Sequence, residues 1–212
     1  MIRKTAHSYE KSFEGNFGQV RDNIIVESTW LGNFEPYTTG TVSSYIYEMM
    51  LKANQQDIIN QYGMNPFDVL ILKTKRTLCE KLMSLVRFSQ TEQPIIDLNN
   101  KIRHTYDIHM MLKNAELNSF FNSAEFEVML LKVANDDVQS FKNNNDWLSN
   151  HPSTTILFSD TENTWNKIKD TYDTSFKELV FGEFPSENEV LNTLQIVAER
   201  LKAIEWNVKT DE

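Results

Sequence analysis

Thr77-Leu78-Cys79-Glu80-Lys81-Leu82-Met83-Ser84-Leu85-Val86 carries the main architectural signal of the chain. Leu78, Leu82, Leu85 and Val86 recur at three- and four-residue spacing, which puts them on one apolar face of a helix. Thr77 and Glu80 stand as a capping box, hydroxyl and carboxylate each satisfying an orphan backbone donor, so a helix start at Thr77 is expected. The same period runs on downstream. After Pro94, a helix places Leu98, Ile102, Thr105, His109 and Leu112 on one side. Ser123 opens another through Phe126, Met129, Leu130 and Val133. Asn143 to Pro152 reads as a turn-rich connection, and Trp165, Ile168, Tyr172, Phe176 and Val180 mark a further helix. A second capping box, Ser186 with Glu189, precedes Val190, Leu194, Val197, Leu201 and Ile204 at helical spacing.

Upstream of residue 76 the pattern changes. The first nineteen residues are polar with scattered aromatics and no clear period. Asn23 to Trp30 is expected to be a strand, because Ile24, Ile25 and Val26 are β-branched and turn residues flank them. A loop with Pro36 and Gly40 follows. Ser43 or Ser44 then caps a helix running through Tyr45, Met49 and Met50 to Ile58 and Ile59, which Gly63 and Pro66 end. Phe67 to Leu72 is apolar nearly throughout and is expected to be a strand buried on both faces. The fold class expected is therefore α+β and predominantly helical: a partial sheet in residues 1–75 and a helical lobe in residues 76–212. No repeat of 20–50 residues supports a solenoid.

The chain of 212 residues, 40% hydrophobic and 24% charged, suffices for one globular domain or for a small and a larger lobe. Thirteen Phe, seven Tyr and four Trp supply too much apolar surface for a disordered chain. Its apolar runs fall short of the roughly 18 residues of a membrane span, and Arg3, Lys4 and His7 lead into polar residues instead of a signal-peptide core. One cysteine, Cys79, excludes an intramolecular disulfide and a cysteine-rich zinc site, so a reduced cytoplasmic compartment is expected. The net charge of −9 is unevenly spread: residues 70–104 hold seven Lys/Arg against three Asp/Glu, a local excess of +4 between acidic flanks. Such a window can hold phosphate if its side chains share a face, and is otherwise a solvated surface. None of the six glycines stands in a GxGxxG or GxxxxGK[ST] setting, which excludes a Rossmann turn and a P-loop.

Candidate chemistry reduces to a few side chains. Cys79 has no histidine near it in sequence and reads as a structural thiol. His104 and His109 are about 500° of helical rotation apart, so they do not form a zinc pair on one helix. Arg103 and Asp107, at i,i+4, share a helix face and can pair. Lys81 falls close to the expected helix start, where a bound phosphate would offset its conflict with the helix dipole. Glu27 sits in a β-branched strand, facing solvent, a cation or a metal.

Two segments together resemble a family. Arg76-Thr77-Leu78-Cys79-Glu80-Lys81-Leu82, followed by Lys101-Ile102-Arg103-His104-Thr105-Tyr106-Asp107-Ile108, is similar to the T-x-x-E-K and R-D-x-x-D helices of the AbiEii/AbiGii-type nucleotidyltransferase toxins of the type IV toxin–antitoxin class. The likeness extends from about residue 20, with a strand carrying Glu27 ahead of both motifs and a helical tail behind them. It implies a nucleotidyltransferase core that takes Mg²⁺ and a nucleoside triphosphate, with a cognate antitoxin and, in some relatives, an RNA acceptor. By the same resemblance Glu27 matches a metal-binding catalytic carboxylate. Lys81 and Arg103 match nucleotide-binding positions, and Asp107 matches the last catalytic aspartate. His104 stands where many relatives have aspartate.

The family's Gly-Ser turn followed by Asp-x-Asp supplies the other two metal carboxylates. This sequence has no Gly-Ser dipeptide and no Asp-x-Asp. Asp160-Thr161-Glu162 imitates the acids without the glycine turn. In the family's order the turn would precede residue 1. The expectation is thus a truncated or degenerate member that cannot transfer nucleotides alone. The alternative is a non-catalytic interaction protein whose helical lobe binds a partner protein or a complementing subunit.

Overall fold

The described residues from 75 to 210 close around the apolar stripes of the sequence. The computed structural model describes residues 2–10, 23–29, 35–141 and 144–210. They form an α+β fold, mostly helical, divided into a unit of residues 1–33 with 75–212 and a second unit of residues 34–74.

In the larger unit, helix α3 (Thr74–Phe88) buries Leu78, Cys79, Leu82, Leu85 and Val86. It begins three residues before the expected start, so Thr77 lies inside it and forms no capping box with Glu80. Glu80 turns back to Arg76 instead, its Oε1 accepting from Nε at 2.8 Å. Arg76 is only 2% exposed and also donates from Nη1 to Asp136 Oδ2 at 2.8 Å. The helix expected after Pro94 is two helices, α4 (Pro94–Asn100) and α5 (Arg103–Lys113), broken at Lys101. The apolar face survives the break: Leu98, Ile102, Thr105 and His109 are all buried.

Helices α6 (Ala115–Phe121), α7 (Ala124–Ser140), α8 (Ile156–Ser159) and α9 (Thr161–Thr171) follow. Of the turn-rich connection, Asn143 lies outside the described residues, and Asp146–Ser149 and Pro152–Thr154 are single 3₁₀ turns. The helix read through Val180 ends sooner. A π turn at Tyr172–Phe176 and a 3₁₀ turn at Lys177–Leu179 close it, with the Tyr172 hydroxyl donating to Pro185 O at 2.8 Å. Helix α10 (Glu187–Lys202) carries the capping box read from the sequence: Ser186 Oγ accepts from Glu189 N, and Glu189 Oε2 accepts from Ser186 N at 2.8 Å.

The polar N-terminal segment holds a strand that its composition hides. β1 (Ile2–Ser8) pairs antiparallel with β2 (Asn23–Thr29), setting Lys4 opposite Glu27. Residues 11–19 of that segment, and Trp30, lie outside the described residues.

The unit of residues 34–74 holds β3 (Tyr37–Val42), α1 (Tyr45–Lys52), α2 (Gln56–Gln61) and β4 (Phe67–Leu72). Ser44 caps α1, its Oγ accepting from Tyr47 N at 3.1 Å. One helix was expected across this region. Asn54, in the left-handed region at φ 54°, divides it, a conformation asparagine tolerates better than most side chains. β4 is not buried on both faces. β3 is its one hydrogen-bonded neighbour among the described strands, and Phe67 and Leu70 remain 62% and 67% exposed.

Candidate functional site

Helices α3 and α5 bring the two sequence motifs together. Lys81 leaves the half-buried flank of α3, and its Nζ donates to Asp107 Oδ2 on α5 at 2.6 Å, across 26 residues of sequence. Both side chains keep partial solvent contact, at 23% and 33% exposure, so the pair contributes about 1 kcal/mol after screening. Lys81 is the eighth residue of α3. It therefore stands well past the first turn, and the helix dipole does not explain its presence.

His104 completes the cluster. Its Nδ1 lies 3.9 Å from Asp107 Oδ2, beyond hydrogen-bond range, and has no hydrogen-bond partner among the described residues. Burial, helped by the cations Lys81 and Arg103, lowers the His104 pKa and keeps the ring neutral at pH 7. Burial alone would raise the pKa of Asp107. The contact with Lys81 and the nearby His104 outweigh it and hold the carboxyl below its ordinary range.

Arg103 takes no part in the pair that its spacing predicted. It is exposed and, among the described residues, makes no ion pair with Asp107. The i,i+4 relation gives two side chains one helix face, but Lys81 from the neighbouring helix offers the carboxylate a more sheltered partner. Glu27 lies on the hairpin, where its Oε1 accepts from Lys4 Nζ at 2.8 Å. So the structure joins Lys81 with Asp107, adds His104, and leaves Arg103 on the exposed side. The meeting of Lys81 and Asp107 is not encoded in any local spacing; the order of the two motifs was its only trace in the sequence.

Other chemistry-bearing side chains are structural. Cys79 is fully buried, and burial pushes its thiol far above the usual range, as its reading as a structural cysteine requires. His109, 8% exposed, bonds through Nδ1 to Thr193 Oγ1 of α10 at 2.7 Å, while Thr193 Oγ1 donates to Glu189 O at 3.0 Å. His151 binds Ile204 O through Nε2 at 2.9 Å. Among the described residues no three His, Cys, Asp or Glu side chains converge as metal ligands, and no helix is long and apolar enough to cross a membrane.

Comparison with known proteins adds one finding. The model of the family described as nucleotidyl transferase AbiEii toxin, type IV TA system, matches residues 3–199. No curated protein and no solved structure matches the chain.

Proposed function

Because the chain belongs to the AbiEii family of nucleotidyltransferase toxins in type IV toxin–antitoxin systems, we propose that Lys81 and Asp107 form its nucleotide-phosphate element. The carrying observation is the 2.6 Å contact that unites the two motif helices. An ammonium has three donors, and Asp107 occupies one in a fixed direction, which leaves two for phosphate oxygens. Arg103, exposed on the same helix as Asp107, supplies a second cation from the solvent side. Neutral His104, its Nδ1 buried, keeps an uncharged neighbour beside Asp107. In this reading residues 1–75 are a partial nucleotidyltransferase-like core and residues 76–212 the lobe that carries both motifs. The place of action is the cytoplasm, the acceptor is RNA, and a cognate antitoxin, implied by the toxin–antitoxin class, is the natural partner.

Nucleotidyltransferases generally use a nucleoside triphosphate with a divalent cation such as Mg²⁺, which would supply charge neutralisation for the phosphates. The described carboxylates do not fit a metal pair. Glu27 is engaged by Lys4, Asp107 by Lys81, and no ligand cluster forms around either. Residues 1–212 alone are therefore proposed to bind triphosphate without transferring the nucleotide. The absence of a carboxylate cluster among the described residues also favours a second reading, a non-catalytic protein that binds a partner through its helical lobe.

Titration of triphosphates against wild type and Lys81→Ala tests the element. An affinity loss of about tenfold or more is expected, and equal affinities remove Lys81 from it. Labelled-triphosphate incorporation into RNA tests the rest: robust Mg²⁺-dependent transfer by residues 1–212 sinks the non-transferring reading.

A further inference from the structure

A cleft of about 500 Å³ opens at the C-terminal end of α3, with Arg87, Phe88, Gln90, Glu92, Phe141 and Trp147 among its walls. Arg87 follows Lys81 by six residues, about 9 Å along the axis and about two-thirds of a turn round the helix. The cleft is thus separate from the Lys81–Asp107 pair.

The Arg87 guanidinium lies 4.7 Å from the Phe88 ring centroid and 4.5 Å from that of Phe141. Among the described residues it makes no hydrogen bond and no ion pair, so its five N–H donors are left to solvent or to a ligand. The Lys101 ammonium lies 4.8 Å from the same Phe88 centroid, which brings two like charges to one ring. Trp147 is 8% exposed and its Nε1 has no acceptor either. Its ring meets Phe141 edge-on, with centroids 6.4 Å apart. Two acids oppose this cationic wall. Glu92 lines the cleft, and Asp137 on α7 attracts Arg87 through space without a hydrogen bond.

The buried Trp147 N–H without an acceptor and the approach of two cations to one ring are each unfavourable, and one kind of ligand relieves both. We propose that this cleft binds a phosphate-bearing ligand, with Arg87 as bidentate donor, Trp147 Nε1 as a further donor and Lys101 as supporting charge. The volume suits a nucleotide-sized group and exceeds what a lone ion fills. Cations interleaved with aromatic rings are also the makeup of single-strand nucleic-acid sites. The phosphate has two sources to separate, the backbone of a single-stranded RNA and a free phosphate compound.

The test measures two probes, a short fluorescein-labelled single-stranded RNA by anisotropy and inorganic pyrophosphate by calorimetry. The proteins are wild type, Arg87→Gln, Trp147→Phe, Lys101→Gln and Lys81→Ala. Arg87→Gln is expected to weaken binding by about tenfold, with smaller losses for Trp147→Phe and Lys101→Gln. The Arg87-dependent part should persist in Lys81→Ala, which separates this site from the triphosphate element. Loss confined to the RNA probe identifies the strand as the source, and loss for both probes identifies phosphate as such. Wild-type affinity of a folded Arg87→Gln protein for both probes overturns the proposal, as does absence of saturable binding to wild type. If Arg87→Gln does not fold, Trp147→Phe, which keeps a ring and removes the N–H, and Lys101→Gln decide: unchanged affinity in both overturns it.

Discussion

Arg76 Nη1 and Asp136 Oδ2, sixty residues apart in sequence, meet at 2.8 Å on the inner side of α3 and α7. Glu80 accepts from the same guanidinium through Nε, so a side chain only 2% exposed has two carboxylate partners. Arg76→Ala strands both acids beside the core. Because Asp136 and Glu80 keep partial solvent contact, a loss of about 2–3 kcal/mol is expected, less than for a wholly buried pair. Urea unfolding measures it. A change under 1 kcal/mol would show that the fork adds nothing to stability.

Asp107 gives the Lys81 contact a defined pH signature. Its folded pKa is lowered, so its contribution is complete above the unfolded value of about 3.9 and disappears as pH falls through the folded value. Asp107→Asn should be less stable than wild type by about 1 kcal/mol at pH 7. Melting curves of the two proteins should converge below about pH 4. Parallel curves across that range would assign the effect to packing.

Asp137 behaves in the opposite sense. Burial pushes its carboxyl up to about 6, despite the attraction of Arg87. As pH falls below that value the folded state takes the proton first, so stability attributable to this group rises until the unfolded carboxyl titrates too. Asp137→Asn should raise stability at pH 8 by about 1–3 kcal/mol, and the gain should vanish near pH 4. Denaturant titrations at the two pH values check both statements.

Cys79 should be inert in the native protein. Its thiol is fully buried and held un-ionised, and only a thiolate attacks a disulfide reagent. At pH 8 an aromatic disulfide reagent should release no thiolate from native protein and one equivalent in guanidinium chloride. Rapid reaction under native conditions would show that α3 opens readily.

The helical part was legible because its signals are local. The Ser186–Glu189 box and the stripe from Val190 to Ile204 specify α10 without reference to the rest of the chain. The sheets were less so. In β1, Arg3-Lys4-Thr5-Ala6-His7 offers no apolar alternation, and the strand exists through its pairing with β2. In β3 the β-branched Thr38, Thr39 and Thr41 were a usable signal, masked by Pro36 and Gly40, which read as loop punctuation. A Cβ at Gly40 would lie 2.7 Å from Ile71 Cδ1 of β4, a side-chain tip that would have to turn aside. The site followed the same division. Its members were visible as motif residues, but the partner of Asp107 came from another helix, where i,i+4 spacing says nothing.

The bond between His109 and Thr193 ties α5, which carries Asp107, to α10 across 84 residues. A ribosome making this chain therefore delivers both motifs long before the helix that fastens one of them. Until residue 202 has emerged, the helix that carries Asp107 lacks that fastening, and the Lys81 contact and the packing of its apolar face are what hold it.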